Sequence, residues 1–177
     1  MLNGPNVDVS DIELTESHFA NPADLMQEIN MAVCIGTPRW SQRSYDVIFN
    51  HMFPAIILML PQGGIADYDP KSRDWRLALF AKVTEFISQQ DEKEFDFIPV
   101  IATDDRQDNH PSKFVWSLAD FMKVKKEDLP QFYVLDPYSQ KVTPYPVKLE
   151  KLEDFSAEII FAWAKYKNVE VLEETVA

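Results

Sequence analysis

Two periods of apolar positions divide the chain into elements. Pro54 to Leu60 (PAIILML) is an unbroken apolar run, the pattern of a strand covered on both faces. Phe95 to Thr103 (FDFIPVIAT) and Gln131 to Leu135 (QFYVL) predict further strands, and Lys141 to Tyr145 a short one. Met31 to Thr37 (MAVCIGT) predicts a strand ahead of them. Between these runs the spacing changes to the three-and-four repeat of a helix. Trp40 to His51 carries Trp40, Tyr45, Ile48 and Phe49 in that pattern, and Trp75 to Ser88 carries Trp75, Leu79, Val83, Phe86 and Ile87. Ser112 to Val124 carries Phe114, Leu118, Phe121 and Met122. Leu152 to Lys167 carries Phe155, Ile159, Ala162, Trp163 and Tyr166. Asn21-Pro22 has the form of an N-cap followed by a first-turn proline, opening a short helix to about Ile29. Turn-rich stretches, QGGIADYDPKSRD and DDRQDNHPS, separate these elements.

The resulting order is β-α-β, α, β-α-β-β-α. Buried parallel strands need helices on both faces. A parallel first half closed by an antiparallel β-β-α unit is the thioredoxin arrangement. The expected fold is therefore α/β and thioredoxin-like, with a mixed central sheet of about five strands flanked by helices on both faces. Residues 30–170 form that domain. Residues 1–29 are an extension or linker with a short helix, either an extra helix of this domain or the tail of a preceding one. Residues 171–177 are a C-terminal tail. Pro99 lies inside the third apolar run, where a missing N–H breaks a ladder bond in a central strand. A bulge is expected there.

Pro130 stands at the head of the strand QFYVL. A proline at a strand's first residue removes no needed donor. A proline in this place, after a cis bond, is characteristic of thioredoxin folds, so the resemblance implies a cis Leu129-Pro130 bond. "LADFMKVKKEDLPQFYVLD" resembles the third helix and fourth strand of the b′ domain of protein disulfide isomerases. "PAIILMLP" followed by "ADYD" is similar to that domain's second strand and the entry to its second helix. Lys123 departs from the pattern, standing where the family often has glycine.

The chain has 177 residues and is 46% hydrophobic, enough for a sizeable core. Its net charge of −12 argues against non-specific nucleic-acid binding, which needs a basic face. That charge favours solubility and permits weak calcium binding. No apolar run reaches the roughly 18 residues of a membrane span. The polar start, MLNGPNVDVSDIEL, offers no signal peptide, and EETVA is no retention signal. A secretory origin then implies a mature fragment.

Cys34 is the only cysteine, so neither an internal disulfide nor a cysteine zinc cluster forms. Its apolar neighbours point to a buried, inert thiol. A redox thioredoxin domain places C-x-x-C after its first central strand, at a helix N-terminus. Here that position reads Pro61-Gln62-Gly63-Gly64-Ile65-Ala66-Asp67, without sulfur. The chain is expected to be redox-inactive on its own and to use no cofactor. His18, His51 and His110 have no metal-ligand spacing, and the loop from Asp104 lacks an EF-hand's glycine and terminal glutamate. No metal site is expected.

The b′ resemblance implies a chaperone-like domain of the endoplasmic reticulum lumen. It would bind unfolded or partner polypeptides in an apolar groove between the first and third helices. Carried onto this sequence, the groove involves Ile48 with Leu118, Phe121 and Met122, and Trp40, Tyr45 and Phe49 beside them. Core packing competes for Leu118 and Phe121, which lie on the main stripe of their helix. Met122 and Ile48 fall beside that stripe. Trp116, on the opposite side of its helix, is a further interface candidate. The alternative is an acidic structural or calcium-buffering module of calsequestrin type.

Overall fold

The computed structural model describes residues 21–36, 38–61, 74–89, 97–104, 106, 117–150 and 155–176, without the side chains of residues 24, 27, 28, 31, 35, 36 and 168–176. The first helix, α1, is Pro22–Gly36. Asn21 starts it, its Oδ1 accepting from the Ala23 amide at 3.3 Å. The strand expected at Met31 to Thr37 is therefore helix through Gly36. An apolar run of strand length does not by itself distinguish the two states. Here Asn21-Pro22 and the Gly36…Pro38 stop bracket one continuous helix. The boundary expected between residues 29 and 30 falls inside it.

Helix α2 (Gln42–Tyr45) runs directly into a π-helical turn, Asp46–Asn50. Strand β1 (Ala55–Leu60) is buried at every residue. Helix α3 is Trp75–Ser88 and strand β2 is Ile98–Thr103. Helix α4 is a single turn, Leu118–Phe121, preceded by an extended Ser117 that caps it. A helix running unbroken from residue 112 is thereby ruled out; residues 112–116, Trp116 included, lie outside the described residues. A 3-10 turn, Lys126–Asp128, leads to a cis Leu129-Pro130 bond and then to β3 (Gln131–Asp136). Lys123 adopts φ 53°, a left-handed conformation that glycine occupies without a steric cost. Strand β4 is Lys141–Pro144, and α5 is Ala157–Val176. Helix α5 thus starts later than expected and continues through most of the predicted tail. Ser156 caps it, its hydroxyl accepting from the Ile159 amide at 3.2 Å.

The four strands form one mixed sheet in the order β2-β1-β3-β4. β1 runs parallel to β2 and antiparallel to β3, and β3 is antiparallel to β4. The sheet has four strands rather than five. Where a fifth would lie, outside β2, a single parallel bridge joins Arg39 to Ile101. Two bonds make it, Ile101 N–H to Pro38 O at 2.6 Å and Trp40 N–H to Ile101 O at 2.9 Å. This geometry also accounts for Pro99. The Ile98 amide bonds to Pro54 O at 2.8 Å, on the β1 side, whereas Ile101 points its amide outward. Alternation therefore turns the Pro99 nitrogen outward too, where the ladder needs no donor. The register against β1 runs unbroken, so there is no bulge.

Two cores result. Ile56, Leu58 and Leu60 of β1 face α3 and α5; Ala55, Ile57 and Met59 face α1, the α2 segment and α4. In α5 the core is met by Ala157, Ile160, Phe161 and Ala164. The apolar set expected on that helix is turned the other way, apart from Trp163, which is half-buried, and Phe155, which precedes the helix and is buried.

Candidate functional site

The surface carrying the predicted site is built on the second core. Ser41 and Ser44 open α2 with a reciprocal cap. The Ser41 amide donates to Ser44 Oγ at 2.8 Å, and the Ser44 amide to Ser41 Oγ at 3.4 Å. The π turn then inserts one extra residue, closed by the His51 amide on Asp46 O at 3.2 Å. Asp46 Oδ1 stays on the polar side, accepting from Gln42 Nε2 and Asn50 Nδ2, both at 3.1 Å. Val47 and Ile48 both lie in the core.

This closes the floor of the predicted groove. Ile48 is 0% exposed, Leu118 2% and Met122 6%, all within the second core. Buried this deeply, these three side chains pack the sheet and offer nothing to a partner. The expectation that Ile48 and Met122 lie at an open site is corrected. The core-packing alternative holds for Leu118.

The aromatic members of the predicted set stand differently. Trp40, Tyr45, Phe49 and Phe121 are each half-buried, and they touch in sequence. Trp40 meets Tyr45 edge-on with centroids 6.3 Å apart, and Tyr45 lies 5.1 Å from Phe49. Phe49 meets Phe121 edge-on at 5.3 Å. The row runs from the strap that bridges β2 to the single turn of α4. Edge-to-face pairs of this kind hold ring positions beyond what burial alone does. A shallow notch of about 130 Å³, lined by Arg39, Trp40, Ile101, Ala102 and Thr103, lies at its strap end.

The chain end of the row is tied by a charged clamp. Arg106 Nε and Nη2 donate to Asp104 Oδ1 and Oδ2, both at 2.7 Å, and Arg106 Nη1 donates to Val124 O at 2.6 Å. The clamp fastens the end of β2 to the loop after α4. The Arg106 guanidinium holds the Asp104 carboxyl below its ordinary value. That carboxylate is thus committed to an internal partner. Sequence reasoning saw the acidic loop but not the clamp, because Asp-x-Arg is common and its third partner lies far along the chain.

Cys34 sits in α1, buried in the second core. Burial pushes its thiol up to about 11, so it is protonated at neutral pH. The stretch from Gln62 to Asp67, and His18 and His110, lie outside the described residues; His51 is exposed. Among the described residues, no group of three or more His, Cys, Asp or Glu side chains is placed to hold a metal ion. No helix among them is long and apolar enough to cross a membrane.

A larger cleft lies on the opposite face of the sheet, between α3 and the start of α5. Its volume is about 420 Å³, and Leu79, Phe86 and Phe155 form its apolar wall with Lys82, Glu85 and Glu158 at the mouth. The sequence gives no hint of it, since its two walls lie some seventy positions apart. No family model and no curated protein matches the chain.

Proposed function

We propose that this chain is a redox-inactive, thioredoxin-like binding domain of the disulfide-isomerase b′ kind. It engages an apolar segment of a partner polypeptide across the row Trp40, Tyr45, Phe49 and Phe121. The observation that carries this reading is the row itself: four rings in mutual contact, half-buried, on the outer layer of one face. The strand order, the parallel-then-antiparallel pairing and the lone bridge outside β2 support the thioredoxin-like assignment. The left-handed Lys123, at a position where that family often has glycine, supports it too. On this reading the domain works in the endoplasmic reticulum lumen beside catalytic domains that supply the thiol chemistry.

The sealed floor changes how binding works. A partner lies across the rings instead of inserting between the helices. Covering about 400 Å² of apolar surface, counted on both partners, contributes about 10 kcal/mol. Association itself costs about 4 kcal/mol or more. Net binding is therefore weak, and it favours segments flanked by Lys or Arg, which the charge of −12 attracts.

A chemical-shift titration with an apolar peptide carrying two flanking lysines tests the proposal. Shifts are expected at residues 40–50 and 118–122, saturating in the micromolar-to-millimolar range. Phe49→Ala or Phe121→Ala should weaken binding about tenfold, the size of one truncated aromatic anchor. Shifts confined to the α3/α5 cleft, or none at millimolar peptide, would discard the reading.

A further inference from the structure

The cleft between α3 and the start of α5 has the build of a small-molecule site. Its volume of about 420 Å³ lies within the roughly 300–1,000 Å³ of ligand pockets. Its apolar wall is fixed from behind. Phe86 meets Phe161 edge-on at 5.2 Å. Phe155 stacks near Trp75 at 6.3 Å and touches Tyr145 at 5.7 Å. The wall is therefore formed before any ligand arrives, and it suits a flat or branched apolar group.

The charged groups at the mouth set the class of ligand. Among the described residues they are Lys82, Glu85 and Glu158, all exposed. Glu158 is committed to the start of its own helix. Its own amide and the Ser156 hydroxyl hold its carboxyl below the ordinary value, and Lys82 across the cleft adds to this. Lys82 and Glu85 stand one turn apart on α3 without forming an ion pair with each other. Glu85 Oε1 accepts from Gln89 Nε2 at 3.4 Å, a long bond. One ammonium and one carboxylate thus remain for a ligand at the rim of an apolar wall. A simple cation is opposed there by Lys82. A simple anion is opposed by both glutamates and by the net charge of −12. A ligand bearing both charges on one carbon satisfies the pair at once, its carboxylate toward Lys82 and its ammonium toward Glu85. We propose that this cleft binds a small zwitterion with an apolar side group, of the class of free apolar amino acids. The side group lies against Phe86 and Phe155. The site is across the sheet from the aromatic row, so it stands or falls independently of the peptide-binding reading.

A chemical-shift titration of the whole chain with free phenylalanine tests this. Shifts are expected at residues 79–89 and 155–158, saturating in the millimolar range. Phenethylamine lacks the carboxylate and hydrocinnamate lacks the ammonium. Each should bind about tenfold more weakly, the size of one lost charged contact. Lys82→Met should weaken phenylalanine about tenfold and leave phenethylamine no weaker. Glu85→Gln should weaken phenylalanine to the same extent and leave hydrocinnamate no weaker. Both side chains are exposed, so both variants should keep the parent's far-UV spectrum. Added salt should weaken phenethylamine more than phenylalanine, since the overall charge acts on a cation and not on a neutral zwitterion. No cleft shifts at tens of millimolar phenylalanine, equal affinity for the three compounds, or full affinity in both variants would overturn the proposal. Shifts at residues 40–50 and 118–122 instead would place the ring on the aromatic row and overturn it too.

Discussion

On one face of the sheet lie α3 and α5, of 14 and 20 residues. On the other lie α1, a four-residue helix fused to a five-residue π turn, and the four residues of α4. The first face is held by large side chains meeting across long regular helices: Phe80 stacks near Phe132, and Phe161 meets both Phe86 and Phe97. The second face has a packed core of its own, and its short helices are tied in addition by the serine caps of α2 and α4 and the Asp104–Arg106–Val124 clamp. Short helices draw little from propagation, so their order depends on tertiary packing and caps. Segments built this way open at lower free energy than the core elements. The aromatic row lies on the second face, and the exposed Ile159 and Tyr166 of α5 lie on the first. An adaptable surface suits varied apolar segments.

The largest expected effect comes from emptying the two cores. Phe80→Ala, at a fully buried ring of the first core, should cost about 3–5 kcal/mol. Ile48→Ala, at a fully buried residue of the second, should cost about 2–4 kcal/mol. Denaturant melts measure both. The Ile48 result sharpens the correction above, because a groove residue would lose peptide affinity at unchanged stability. A variant as stable as the parent would break the claim that this floor is sealed.

The second effect is smaller and depends on pH. Arg106→Met removes the guanidinium while keeping the stem, leaving the Asp104 carboxylate nearly enclosed without its ion pair. A loss of about 1–3 kcal/mol is expected at neutral pH. The Asp104 carboxyl is held below its ordinary value of about 3.9 in the fold. The clamp's contribution is therefore fully present above pH ~4 and disappears as pH falls through the depressed value. The stability gap between parent and variant should close on acidification below about pH 4. A gap that stays constant down to pH 2 would mean that the clamp's charge contributes nothing.

Legibility in the sequence followed the same division between faces. β1, α3 and β3 were readable because each is a long run with one period. α1 was misread in its second half because MAVCIGT suits a strand as well as a buried helix, and only its two ends decide. α5 was found, but its bounds lie several residues further along the chain than expected and its apolar set is turned the other way. Its Ile159, Ala162, Trp163 and Tyr166 stripe is interleaved with a second one of smaller residues, and a period alone does not say which faces the sheet. At the site, the resemblance, and not the spacing, led to Trp40, Tyr45, Phe49 and Phe121. It did not show the depth of Ile48 and Met122. Depth depends on what the rest of the chain lays over a residue, which the spacing along one helix does not contain. The bridge outside β2 was not legible for a related reason: Pro38-Arg39-Trp40 is too short for any alternation to register.

The smallest effect distinguishes the faces through identical chemistry. Ser41 caps α2 on the second face and Ser156 caps α5 on the first, each hydroxyl accepting from an amide three residues on. Replacing either with alanine should cost about 0.5–1 kcal/mol. The consequence should differ in extent. In α5 most of the turns beyond the cap are secured independently of it, by Ile160, Phe161 and Ala164 in the core, so Ser156→Ala should speed amide exchange only in the first turn. In α2 the cap, the single helical turn and the π turn form one short run, so Ser41→Ala should speed exchange through to Asn50 and loosen the Tyr45–Phe49 contact with it. Peptide affinity should then fall about twofold, following the population of the ordered row. Equal, strictly first-turn effects in both variants would show that the second face is as rigid as the first, and adaptability would no longer explain why the row lies there.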